Sequence, residues 1–222
     1  TLLAFRPALA DTKPNFIVVF CDDLGYADIG PFGSKTHDTP VLDKMAREGM
    51  KLTDFYSTCS VCTPSRSSLM TGCYPRRVNM HCDEKNLCVL FPAARKGLNP
   101  SEVTVAEVLK TRGYATMAIG KWHLGDHPDF MPTSQGFDHY FGIPYSNDMN
   151  RKQVPLPLVR DLEVIEDSVQ RDTTITTQYT EEAVKFIKAN SKKPFFLYLP
   201  HTAVHLPLVP GEKFKGTSKD GP

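Results

Sequence analysis

The sequence is short of charge bias. Lysine and arginine total 26 against 25 aspartates and glutamates, a net charge of +1 over 222 residues. A protein that grips a polyanion concentrates basic residues on one face or in one run, so nucleic acid and a polybasic membrane patch are left without a footprint. Long apolar runs are missing too. The best, Phe16 to Cys21, is strand-sized and far short of the roughly 20 residues a membrane-spanning helix needs. The single Asn-x-Ser frame, Asn99-Pro100-Ser101, is blocked by its proline as a glycan acceptor. Cys59-Ser60-Val61-Cys62 has no second half, which argues against zinc. No internal repeat, low-complexity tract or linker divides the chain.

What is present is a globular composition, 41% hydrophobic and 23% charged, long enough for one large core or part of a bigger one. Residues 1–10 are apolar and end in Ala8-Leu9-Ala10, the small-x-small ending of a secretory signal peptide. With no initiating Met and no basic n-region, the front of such a peptide is missing; a disordered arm fits the same residues. Six cysteines follow, at 21, 59, 62, 73, 82 and 88. In a secretory setting some are expected to bridge, with Cys73, Cys82 and Cys88 the candidates.

Asn15 to Cys21 reads as a strand buried on both faces. Thr39-Pro40 opens a helix ended by Gly49, and Leu52 to Tyr56 reads as a short strand. A helix begins around Cys62-Thr63-Pro64, with Pro64 suited to the first helical position, and stops at Gly72. Thr104 to Glu107 forms a capping box for a helix to about Arg112. Tyr114 to Ile119 is a strand, residues 126–172 are without clear period, Thr177 to Asn190 is a helix, and Pro194 to Leu199 is a buried strand. The alternation predicts an α/β fold with a mostly parallel sheet flanked by helices. Only about four strands are visible, so the sheet reads as incomplete at the C-terminus.

The polar clusters share one position, directly after a strand. Asp22-Asp23 follows the first, Lys121 and His123 follow the middle one, and His201 and His205 follow the last. Ligands of parallel sheets bind outside the carboxyl ends of the strands. Cys62 lies at a helix N-terminus, where free N–H groups favour anions, and Arg66 one turn on carries a fork that fits a tetrahedral oxyanion. Adjacent carboxylates suit a hard cation such as Ca²⁺ or Mg²⁺. Lys121 and His123 alternate along an extended segment and so can face one side. Blander readings fit each element alone: a solvated turn, a buried thiol before an ordinary helix, a packed loop histidine. Their joint placement after strands favours a site for sulfate or phosphate chemistry.

Taken together, Cys62-Thr63-Pro64-Ser65-Arg66 with Leu69, Thr71 and Gly72, and Gly120-Lys121-Trp122-His123-Leu124-Gly125, resemble the two signatures of the sulfatases. These are the formylglycine-dependent members of the alkaline-phosphatase-like superfamily. Asp22-Asp23, the 142–148 stretch and His205 fall in the family's order, and the flavour is arylsulfatase-like. The resemblance implies hydrolysis of sulfate esters, with Cys62 oxidised to formylglycine by a formylglycine-generating enzyme in the endoplasmic reticulum. It implies that Asp22 and Asp23 bind Ca²⁺ (or Mg²⁺) together with the modified Cys62. Arg66, Lys121 and His123 would be catalytic, and Ser146 and His205 would contact the substrate sulfate, in a lysosomal or extracellular protein. His201 has no implied role beyond structure. The family's later Asp-Asn metal pair and further Lys do not follow His205, so residues 11–222 read as the N-terminal part of a catalytic domain, inactive alone. Phosphate or phosphonate ester hydrolysis, and a secreted non-catalytic binder of sulfated polysaccharide, are the competing readings.

Overall fold

A computed structural model describes residues 13–149, 155–169 and 173–218; the apolar segment 1–10 lies outside them. Six strands form one sheet in the order β1-β6-β2-β3-β4-β5. These are β1 (Phe16–Phe20), β2 (Ala115–Lys121), β3 (His139–Ile143), β4 (Leu158–Arg160), β5 (Glu163–Glu166) and β6 (Phe195–Pro200). The first four in spatial order run parallel, and β4 and β5 add an antiparallel hairpin at one edge. The helices are α1 (Pro40–Glu48), α2 (Cys62–Thr71), α3 (Val105–Thr111) and α4 (Ile175–Ala189). The mostly parallel α/β expectation holds.

The period-2 alternation of β2 and β6 builds two cores. Ala118, Phe196 and Tyr198 pack with Met70 of α2, Ala106 of α3 and the buried Trp122 on one face. Met117, Ile119, Phe195, Leu197 and Leu199 pack with Tyr179, Ala183 and Phe186 of α4 on the other. The capping box forms as read: Thr104 Oγ1 accepts from Glu107 N at 3.2 Å and Glu107 Oε2 accepts from Thr104 N at 2.7 Å. Gly120 sits at φ +128°, and a Cβ there would meet Pro200 O at 1.9 Å, so only glycine lets β2 and β6 close at the end nearest the site.

Several expectations change. β1 forms, but as an edge strand with Phe16, Ile17 and Val19 exposed by 41, 47 and 56% rather than buried on both faces. It has a strand neighbour on one side only, β6, among the described residues. Leu52 to Tyr56 is not a strand; it lies exposed beside Tyr26, whose hydroxyl accepts from Phe55 N and donates to Phe55 O. The aperiodic 126–172 stretch holds β3, β4 and β5, so the sheet has six strands rather than about four. All six cysteines are free, and the bridges expected among Cys73, Cys82 and Cys88 are not formed.

Candidate active site

The strand ends bring the site together through backbone pairing. His201 N donates to Phe20 O at 2.8 Å, Asp22 N to Ala203 O at 3.0 Å, and Val204 N to Asp22 O at 2.8 Å. These bonds run the exits of β1 and β6 side by side and set His205 next to Asp22-Asp23. Trp122 N donates to Ile143 O and His123 N to Pro144 O, both at 3.0 Å, which carries Ser146 towards Lys121.

Cys62 is the first residue of α2, after the extended Val61, and Pro64 is the third helical residue rather than the first. It remains in the first turn, where a missing N–H costs no helical bond. Gly72 closes the helix in the left-handed region at φ +68°, its N–H on Ser68 O at 2.8 Å.

Asp22 is the hub. Its carboxylate accepts from Arg66 Nη2 at 3.0 Å, from Lys121 Nζ and, more weakly, from Cys62 Sγ at 3.5 Å. Lys121 Nζ also reaches Ser146 Oγ at 2.9 Å and Cys62 Sγ at 3.3 Å. Arg66 and Lys121 are fully buried and Asp22 is 4% exposed. Arg66 donates its other Nη to Lys121 O at 2.7 Å and lies 5.3 Å over the Phe20 ring. Burial alone would raise the Asp22 carboxyl, but Arg66 and Lys121 beside it outweigh that and hold it below its ordinary range. Burial pushes the Cys62 thiol up, against the pull of Lys121. An unmodified Cys62 here is a poor thiolate nucleophile.

Asp23 diverges from its neighbour. It takes φ +60°, its side chain is exposed, and its Oδ2 lies 3.7 Å from His205 Nε2. Ligand atoms of Asp22, Cys62 and His205 lie within 4.8 Å of one another, a group able to hold a metal ion.

The extended reading of Lys121 to His123 fails at its far end. His123 sits at φ +59°, so the chain turns there. Its Nε2 meets Leu90 O at 2.8 Å, while its Nδ1 is buried without a partner among the described residues. A carbonyl accepts only, so Nε2 carries the hydrogen and Nδ1 keeps a free lone pair. Thr63 ties this region to Cys62, for its hydroxyl donates to His123 O at 3.0 Å and accepts from Leu90 N at 3.1 Å. Sequence reading gave Thr63 and Leu90 no role. Thr63 carried a signal by lying inside the first signature; a backbone carbonyl such as that of Leu90 carries none. His201 packs 6.3 Å from Tyr179, in keeping with a structural place.

Burial, and then the nearby Lys121, hold His123 well below the ordinary histidine range. The folded protein keeps it neutral while the unfolded chain protonates it below about pH 6.5. The unfolded state therefore binds more protons in that window, and stability present above it is lost as pH falls. Urea unfolding at pH 7.5 and 5.5 is expected to show a decline that shrinks in His123→Gln. Burial lowers His201 in the same sense, so part of the decline remains in that variant. An unchanged pH dependence would contradict a neutral buried His123.

A family model described as Sulfatase matches residues 14–221. Human arylsulfatase A is 39% identical over 100% of this chain and 47% of its own length. Human arylsulfatase G is 38% identical over 88% of this chain and 42% of its own. The solved PsFucS1 sulfatase of a Pseudoalteromonas species superposes with a TM-score of 0.79 at 30% identity, covering 93% of this chain and 47% of that one. The chain thus spans less than half the length of these relatives.

Proposed function

Because this chain belongs to the sulfatase family, we propose that it is the N-terminal part of a sulfuric ester hydrolase, arylsulfatase-like, that works through a formylglycine made from Cys62. The carrying observation is the convergence of Arg66, Lys121, Ser146 and Asp22 on or beside Cys62 at the mouth of α2. Two buried cations against one buried carboxylate leave the centre net positive, which suits a sulfate monoester anion. The 42–47% coverage of the relatives supports reading the chain as a portion of a longer enzyme.

The residues present fit one side of a cation site. A thiol and an imidazole beside a carboxylate are a mixed donor set, softer than Ca²⁺ prefers. Conversion of Cys62 to an oxygen-bearing group would make a hard pair with Asp22, Asp23 standing beside them next to His205, and a Ca²⁺ or Mg²⁺ held there would neutralise charge on the sulfate oxygens. The hydrated aldehyde supplies the attacking oxygen, and its second hydroxyl lets sulfate be expelled rather than trapped as a stable ester. The chain's own groups do the rest. Arg66 fixes Asp22 and faces the first turn of α2 with positive charge. Lys121 bridges residue 62 and Ser146, orienting the nucleophile against the bound sulfate. Ser146 and His205 contact the sulfate, with His205 a proton donor to the leaving oxygen. The free Nδ1 of His123 takes the proton released when the second hydroxyl collapses.

Formylglycine formation requires the generating enzyme of the secretory pathway, in keeping with Ala8-Leu9-Ala10 and a lysosomal or extracellular destination. No helix among the described residues is long and apolar enough to cross a membrane. Mass spectrometry of the Cys62 peptide from the full-length protein is expected to find the aldehyde, with an aryl sulfate hydrolysed faster than the matching aryl phosphate. Intact cysteine and no hydrolysis would favour a non-catalytic binder of sulfated polysaccharide. A faster phosphate or phosphonate ester would move the assignment to that chemistry.

A further inference from the structure

Away from the candidate centre, two of the six cysteines flank a closed turn. Asp83 N donates to Leu87 O at 2.8 Å and Asn86 N to Asp83 O at 3.3 Å, with Asn86 in the left-handed region at φ +61°. Asp83 is 4% exposed, and its Oδ1 accepts from Lys85 N at 2.8 Å and from Leu87 N at 2.7 Å. This is the bonding of a short hairpin loop, a turn followed by one left-handed residue, with Asp83 and Leu87 as its hydrogen-bonded pair. The next residues out, Cys82 and Cys88, take the non-hydrogen-bonded position, where side chains share a face and Cα atoms lie about 4.5 Å apart. A disulfide spans roughly 4.4–6.8 Å between Cα atoms. Cys82 is half-buried, its Sγ 3.8 Å from Asn86 Oδ1, and Cys88 is exposed. Cys73 instead packs against the core beside Met70.

The turn is anchored on one side and leads to the centre on the other. Lys96 Nζ donates to both Cys82 O and Asn79 Oδ1. Two residues beyond Cys88, Leu90 N donates to Thr63 Oγ1 and Leu90 O accepts from His123 Nε2.

We propose that Cys82 and Cys88 are a redox modification site, closing a disulfide that braces Leu90 and, through it, Thr63 and His123. The two thiols are free in this structure, and the turn already holds the backbone in the shape the bridge needs. The oxidant is a small disulfide of the glutathione class. The thiolate of one cysteine attacks it and releases one glutathione thiol, and the second cysteine then displaces the other. One S–S bond forms as one breaks, and the two protons lost by the cysteines end on the two glutathione thiols. The bridge itself does not depend on the chain hydrolysing an ester.

Trypsin cuts after Lys85, inside the turn, so residues 78–85 and 86–95 leave as separate peptides unless the two cysteines are joined. With the full-length protein in a buffer of oxidised and reduced glutathione, the two peptides are expected to emerge joined, and to separate after dithiothreitol. Amide exchange at Leu90 is expected to be about tenfold or more slower in the joined form, because a cross-link of this kind opposes local opening. In Cys88→Ser the exchange at Leu90 is expected to be the same in both buffers. Separate peptides in excess oxidised glutathione, glutathione left on both sulfurs, or a link from either to the Cys73 peptide would overturn the bridge. A joined pair with unchanged exchange at Leu90, or redox-dependent exchange that persists in Cys88→Ser, would overturn the brace.

Discussion

Cys62→Ala is expected to abolish turnover of an aryl sulfate by the full-length enzyme, a loss on the order of 10⁵- to 10⁶-fold, the scale seen when a covalent nucleophile is deleted. The size follows from the division of labour. In the proposed mechanism Arg66, Lys121 and Ser146 would still bind and polarise a sulfate without residue 62, but none offers an oxygen that both attacks and later collapses. The fold should survive. Cys62 is half-buried at a helix start, and its sulfur makes two weak polar contacts, at 3.3 and 3.5 Å. Circular dichroism and the thermal midpoint should therefore match wild type, which separates lost chemistry from lost structure. Cys62→Ser sharpens the point, since a single hydroxyl attacks once and then holds the sulfate as an ester. Near-normal turnover by the alanine variant would overturn the assigned role of Cys62.

Asp22→Ala is expected to be the most destabilising single change in the site, by about 3–5 kcal/mol. Arg66 and Lys121 are both fully buried, and Asp22 is the carboxylate paired with each. Deleting it leaves two buried cations without a counter-charge, against a total stability of roughly 5–15 kcal/mol. Urea unfolding measures this directly. Acid gives the same result by another route. The Asp22 carboxyl is held below its ordinary range, so its stabilisation is complete above the unfolded value near 3.9 and is lost as pH falls through the lower folded one. The decline set by His123 begins at higher pH, below about 6.5, so loss that starts only below the unfolded carboxylate value is the part that Asp22 adds. A variant as stable as wild type would mean that the hub is not built as described.

The parts of the fold legible in sequence are those where local chemistry and tertiary packing agree. The Thr104–Glu107 box, the Gly72 stop of α2, and the runs of β2 and β6 each carry a signal that burial then reinforces, while the Gly49 stop is local chemistry alone. The stretch holding β3 to β5 failed because its strands are short, and β4 and β5 are held by hairpin pairing at the sheet edge. Such pairing is a property of neighbours, which composition does not encode. The Phe16 to Phe20 run was read correctly as a strand and wrongly as buried, because apolar content reports what a strand can bury and not what lies beside it. In the site, side chains that follow strands were found by position alone. The left-handed turn at His123 and the outward swing of Asp23 were not, since a single backbone dihedral redirects a side chain without changing any residue type.

The sheet order has a consequence for synthesis. β1 is made before the other described strands, yet the strand it pairs with is β6, and Phe16 lies opposite Phe196, 180 positions later. At roughly 5–20 residues per second, the segment Phe-Ile-Val-Val-Phe waits about 10–40 s for its partner to be translated. Through that interval it is a β-prone apolar tag on a nascent chain. β1 is therefore a natural client for a chaperone, and the speed of elongation between β1 and β6 bears on yield as directly as any contact in the finished fold.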